Sequence, residues 1–356
     1  MTYATEVNRP ESVTDWAHSE LAALPMSLVV RIWLRAVRLL TALRFFPSIE
    51  RIPDVPLATR KASKPPRWMT LPLPQAVDIV DRAAAELELP VAIRTYAPSG
   101  TATPLPIVVF MHGGGFVNGG LDSMQFFCAH LAASARLLIV SVDYPLSPES
   151  VFPEALHAGY AVLSWAAERG NYIGGDPARL VVAGDLAGGN LAAALALLAR
   201  RERTPHIIKQ VLIYPTLDAT QSTPRLAREA TNRRKERFTY YRYYAGQTPP
   251  SDELISPLLA DRVDGLPDAV ILTAEVDALR DDGILYAQRL RAAGVPVQLT
   301  NYLGMPHGFL SMPRLCRAAT SQAIFEIADA LRVATATACQ PNHSRGGSSV
   351  GRAGDL

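Results

Sequence analysis

His307, Asp277 and the three glycines Gly113 to Gly115 are among the residues of this sequence whose types could move a proton and hold a developing negative charge. A histidine oriented by a carboxylate is a general base, and backbone N–H groups presented by glycines stabilise the oxyanion of acyl transfer. That chemistry also needs an attacking atom at a sharp strand-to-helix bend, with the N–H of the following residue completing the oxyanion hole. The stretch Gly184-Asp185-Leu186-Ala187-Gly188-Gly189-Asn190 has the glycines of such a bend, but the side chain it would thrust out is Leu186. Leucine has no proton to give a base and no lone pair to attack a carbonyl. The sequence therefore carries a candidate charge-holding loop, Gly113, Gly114 and Gly115 together with Ala187, around an absent nucleophile.

Residues so far apart in the chain need a scaffold that brings them to one edge. Apolar, β-branched runs predict strands at 91–96, 107–111, 137–142, 180–183, 210–214, 269–273 and 297–302. Helical patterns fall between them at 123–135, 153–169, 187–201, 281–293 and 318–334. Continuous apolar strands alternating with helices imply an α/β fold, with a mostly parallel sheet covered on both faces and functional residues at the carboxyl ends of its strands. His112 to Gly115 directly follow one strand, and His307 and Asp277 follow two others. Asp281 and Asp282 compete with Asp277 for the role of acid, although as the opening residues of a helix they also suit its N-terminal dipole.

Several motifs in order over residues 88–335 resemble the hormone-sensitive-lipase-like esterases of the α/β-hydrolase fold. They are HGGGF at 112–116, VDYPLSPE at 142–149, GDLAGGN at 184–190, SPLLA at 256–260, AEVDALRDDG at 274–283 and MPHGF at 305–309. The resemblance implies His307 as general base, Asp277 as its orienting carboxylate, serine at position 186, and no metal or organic cofactor. It also implies a small-molecule carboxylic ester of short to medium acyl length as substrate. The sequence departs from the pattern at Leu186, at Pro145 where arginine is usual, and near Ser150 where histidine is frequent. Asp143, Pro148 and Glu149 read as residues that fix a loop beside the site, and His112 as an anchor of the glycine loop.

The domain plan that follows places N-terminal cap helices and a linker in 1–75, the core in 76–215 and 256–338, a cap insertion in 216–255, and a disordered tail in 339–356. The insertion carries a charge run, Arg233 to Arg237, read as a solvated helix face, and four tyrosines at 240, 241, 243 and 244 that either line the entrance or pack the lid. Two functions remain open at this stage. One is an esterase disabled by Leu186, and the other is a non-catalytic binder or sensor that uses the lidded pocket.

Composition narrows the partners. A chain of 356 residues, 49% hydrophobic and 19% charged, buries a large core, and a formal charge of +2 argues against nucleic acid as a partner. Cys128, Cys316 and Cys339 form an odd set without paired spacing, so neither a disulfide framework nor a zinc site is expected and a reducing cytoplasm fits. No secretory signal is expected in the first residues. Nine basic residues, Arg31, Arg35, Arg38, Arg44, Arg51, Arg60, Lys61, Lys64 and Arg67, face only Glu50 and Asp54 between 31 and 67. Overlapping that stretch, Ser27 to Phe46 has the pattern of an amphipathic helix, which either packs on its own protein or makes peripheral membrane contact. Oligomeric state is left open.

Overall fold

The structure, a computed structural model, describes residues 5–7, 49–228 and 231–337. Its centre is a sheet of nine strands in the order β1-β9-β8-β7-β6-β4-β5-β3-β2. The strands are β1 (Thr5–Val7), β2 (Val77–Arg82), β3 (Ile93–Pro98), β4 (Leu105–Met111), β5 (Leu138–Val142), β6 (Gly175–Asp185), β7 (Ile207–Ile213), β8 (Asp268–Val276) and β9 (Val297–Pro306). From β5 through β4, β6, β7 and β8 to β9 every pairing is parallel, whereas β3 on β5, β2 on β3 and β1 on β9 are antiparallel.

Each central strand is buried on both faces, as its unbroken apolar run requires; every residue of Leu105–Met111 and of Leu138–Val142 is buried. One core lies beneath α4 (Glu154–Arg169), α5 (Ala187–Glu202) and α8 (Arg280–Ala292). The opposite core lies beneath α3 (Gln125–Ala135) and α9 (Arg317–Thr337). Helix α5 is buried from Ala187 to Ala199, and its alanines allow it to lie close against the sheet. Short helices α1 (Leu57–Lys61) and α2 (Ala84–Leu87) precede β2 and β3, and α6 (Pro224–Ala227) and α7 (Thr231–Ala245) occupy the span between β7 and β8.

All seven expected strands are present, most of them longer than the apolar run that announces them. Val77–Arg82 has no place among the expected strands because its residues alternate with charge, the pattern of an edge strand wet on one side. Thr5–Val7 adds a strand beside β9 from a stretch expected to hold only cap helices and linker. The expected helix over 27–46, the tail 339–356 and Cys339 lie outside the described residues. Cys128 and Cys316 are both buried and free. Among the described residues no helix is long and apolar enough to cross a membrane.

Candidate active site

Leu186 stands alone between β6 and α5 with φ 53° and ψ −112°, a strained backbone for a residue with a side chain. Its N–H donates to Ile213 O at 2.9 Å, and Thr216 N and Asn190 N both donate to its carbonyl, at 3.3 and 3.1 Å. The bend is therefore tied to the end of β7 as well as to α5. Gly188 is required there, because a Cβ on it would lie 1.9 Å from Met111 O. The Leu186 side chain is half-buried and packs against both cores.

The glycine loop after β4 is held from below. Gly113 N donates to Asp185 Oδ1 at 2.7 Å, so the first of the three glycines spends its N–H on the loop's own support. Gly114 has φ 123° and a Cβ there would strike Asn118 O at 2.0 Å. Its carbonyl accepts from Val117 N and Asn118 N. The N–H groups of Gly114, Gly115 and Ala187 donate to no acceptor among the described residues, which leaves three donors for an oxyanion. Of the four oxyanion candidates, Gly113 thus acts as a support and the other three keep a free donor.

Asp185 is buried, and burial pushes its carboxyl up to about 7 despite the Gly113 N–H that favours the ionised form. His112 is buried against Tyr144, ring to ring at 4.2 Å, with Nδ1 2.7 Å from Gly113 O and its pKa lowered to about 4 by burial. A ring held neutral in this way donates from Nδ1 to the carbonyl and anchors the loop. Tyr144 Oη donates to His112 O at 2.6 Å.

His307 follows β9 and Asp277 follows β8, and their side chains meet with Nδ1 2.7 Å from Asp277 Oδ2. Asp277 Oδ1 accepts Leu279 N at 2.9 Å, which fixes the carboxylate. Withdrawal from water pulls the His307 pKa down, but the charge and hydrogen bond of Asp277 outweigh it and leave the imidazole above its ordinary value. The Tyr214 ring packs edge-on against His307 at 5.2 Å and follows Ile213, the residue bonded to Leu186 N, so the dyad and the bend are neighbours.

The competing carboxylates are used elsewhere. Asp281 accepts Arg225 N at 3.0 Å and pairs with Arg280. Asp282 is fully buried and accepts Leu217 N at 2.9 Å and Thr223 Oγ1 at 3.0 Å. Both carboxylates anchor the inserted segment, a role that their place at a helix start conceals.

That segment covers the site with α7. The Tyr240 ring lies directly on Gly115, Tyr244 stacks on Phe116 at 3.8 Å and 5°, and Tyr241 Oη meets Thr216 Oγ1 at 2.6 Å. The tyrosines therefore pack the roof onto the glycine loop. Arg237 departs from the expected solvated face: it is half-buried, burial lowers its pKa, and its charge acts on His307 and Asp277. Asn190, fully buried, donates to Thr216 O at 2.9 Å and Ile255 O at 2.8 Å, clamping both ends of the segment. Sequence reasoning missed the parts played by Asp185, Asn190 and Arg60, although the first two stand inside the motif around the bend.

Residues 108–311 match the model of a family described by its alpha/beta hydrolase fold. The chain belongs to the α/β-hydrolase family. It is 40% identical over 237 residues to Carboxylesterase NlhH of Mycobacterium tuberculosis, covering 64% of this chain and 74% of the relative. It is 38% identical over 258 residues to Esterase LipI of the same organism, covering 70% and 80%. The crystal structure of a thermostable esterase from Pseudomonas putida ECU1011 superposes with a TM-score of 0.68 and 31% identity, over 78% of this chain and 88% of that one. This α/β-hydrolase therefore stands among esterases.

Proposed function

We propose that this α/β-hydrolase carries a carboxylic-ester hydrolase site whose nucleophile position holds Leu186, and that the chain as it stands does not form an acyl-enzyme. The observation that carries the reading is the His307–Asp277 hydrogen bond at 2.7 Å beside three N–H donors left open. A base and an oxyanion hole kept in working order around a bend that still has its strained backbone are what an esterase lacking one side chain retains.

With serine at 186, His307 Nε2 takes the hydroxyl proton as the oxygen attacks the ester carbonyl. Asp277 holds the imidazole with Nε2 facing the site and stabilises the imidazolium. The N–H groups of Gly114, Gly115 and Ala187 receive the oxyanion. The imidazolium then protonates the departing alcohol, and water, deprotonated by His307, releases the acid. The relatives' esterase names support an ester as substrate, and the motif resemblance alone supports a short to medium acyl length.

The test is Leu186→Ser assayed against a p-nitrophenyl ester series. Turnover that the parent chain lacks supports the reading. A folded Leu186→Ser protein that stays inert on short, medium and long acyl esters contradicts it. A cellular ligand that binds the leucine form more tightly than the serine form would favour a non-catalytic sensor instead.

A further inference from the structure

Arg60 lies in α1, outside every motif of the site, yet only 1% of its surface is exposed. Its guanidinium donates from Nη1 to Val117 O at 2.7 Å and to Ser147 O at 2.8 Å, from Nε to Val55 O at 3.1 Å, and from Nη2 to the Glu149 carboxylate. Four of its five donors are thereby used, by one residue of the oxyanion loop, two of the 143–149 loop and one of its own segment. The backbone reinforces the junction, since Gly119 N donates to Arg60 O at 2.9 Å and Ser147 N donates to Phe116 O at 2.9 Å. Val117 N returns to Gly114 O, so the carbonyl gripped by Arg60 belongs to the same residue as the N–H that closes the Gly114 turn. Neighbouring residues repeat the pattern. Lys61 Nζ pairs with Asp143 Oδ2 at 2.8 Å, Lys64 Nζ with Asp122 Oδ2 at 2.8 Å, and Ser123 Oγ donates to Ser63 O at 3.0 Å.

We propose that Arg60 is a positioning residue of the oxyanion hole: its buried guanidinium ties the Gly113–Val117 loop to the 143–149 loop and so sets where the Gly114 and Gly115 N–H groups point. The 143–149 loop contributes the Ser147 N–H and the Tyr144 hydroxyl to the same junction but no guanidinium, since proline stands at 145. A planar fork suits the task, since it makes four bonds from three separated nitrogens, one more than the three that an ammonium can donate from a single point. Glu149 is 42% exposed, so the ion pair opens to water at one end while the carbonyl contacts are closed. The segment 55–64 is accordingly part of the frame of the site.

The inference rests on the esterase reading for its catalytic meaning and on hydrogen exchange for its structural content, and the two are measured separately. In the unmodified chain, Arg60→Met is expected to speed amide exchange in peptides spanning 112–120 and 143–150 while β7 keeps its protection. Arg51→Met, which breaks only an exposed pair with Asp54, should leave all of them unchanged. In the Leu186→Ser background, Arg60→Met is expected to lower kcat about 10- to 100-fold with KM within about threefold, as for misplaced oxyanion donors. Arg60→Lys should recover part of kcat. If Leu186→Ser alone is inert, the esterase reading fails and the exchange result still decides whether Arg60 sets the loop. Unchanged exchange at 112–120 overturns the proposal. So does a rise equally large in β7, which would make Arg60 a general stabiliser, or an unchanged kcat in an active background. Should Arg60→Met not fold, Arg60→Lys must show the same rise confined to the loops.

Discussion

The proton affinity of His307 is set by two opposed surroundings: withdrawal from water lowers it, and the Asp277 carboxylate at 2.7 Å raises it further. A base works only when neutral, so in Leu186→Ser the acidic limb of the kcat/KM profile should lie above the ordinary imidazole value near 6.5. Asp277→Asn should move that limb down and cost orders of magnitude in rate, about 10⁴ in the comparable serine-protease case. Asp281→Asn should cost far less, because that carboxylate is spent on Arg225 N and Arg280. A pH–rate series on the three proteins checks both statements, and equal damage from the two asparagines would place the acid elsewhere. At this scale the spatial arrangement was largely legible. Histidine and aspartate each follow a strand, and the glycines follow a third. The supports were not legible, because Asp185, Asn190 and Arg60 act by reaching backbone groups 72, 26 to 65, and 57 to 87 residues away. No local pattern announces such bonds.

Among the elements, the inserted segment between β7 and β8 depends on polar anchors at both ends. Asn190 grips Thr216 O and Ile255 O from within the buried face of α5. Asn190→Ala leaves two buried carbonyls without that donor, and stability should fall by about 1–3 kcal/mol. Urea unfolding followed at two wavelengths measures it; an unchanged midpoint would mean that α7 is held by its tyrosines alone. The central strands were readable because a run buried on both faces is continuously apolar. Val77–Arg82 was not, because an edge strand exposes alternate residues. Of the basic residues before 75, Arg51, Arg60, Lys61 and Lys64 are each paired with a carboxylate of this chain, while the helix expected over 27–46 lies outside the described residues.

Across the whole molecule, two buried carboxyls tie stability to pH. Burial pushes Asp282 up to about 8 and Asp185 up to about 7, well above the unfolded value of 3.8. Between the unfolded and folded values the native state holds a proton that the unfolded chain releases, so each contribution to stability is lost as pH rises through that interval. His112 works in the opposite sense. Held neutral with a pKa near 4, it costs stability as pH falls below 6.5. The window from 6.5 to about 8 is therefore the one in which Asp282 acts without opposition from His112. Thermal unfolding of the parent should weaken across that window, and Asp282→Asn should flatten the slope. Parallel slopes would show that Asp282 is ionised in the folded protein throughout.

The central claim is that the chain possesses a complete esterase site apart from the attacking atom at 186. Fluorophosphonate labelling read by intact and peptide mass tests it most directly, because the reagent needs an activated nucleophile and reports where it sits. The expected result is no labelling of the unmodified chain, stoichiometric labelling of Leu186→Ser on the peptide containing position 186, and loss of that label when His307→Ala is added. Stoichiometric labelling of the unmodified chain, or a folded Leu186→Ser protein that takes no label, would contradict the account.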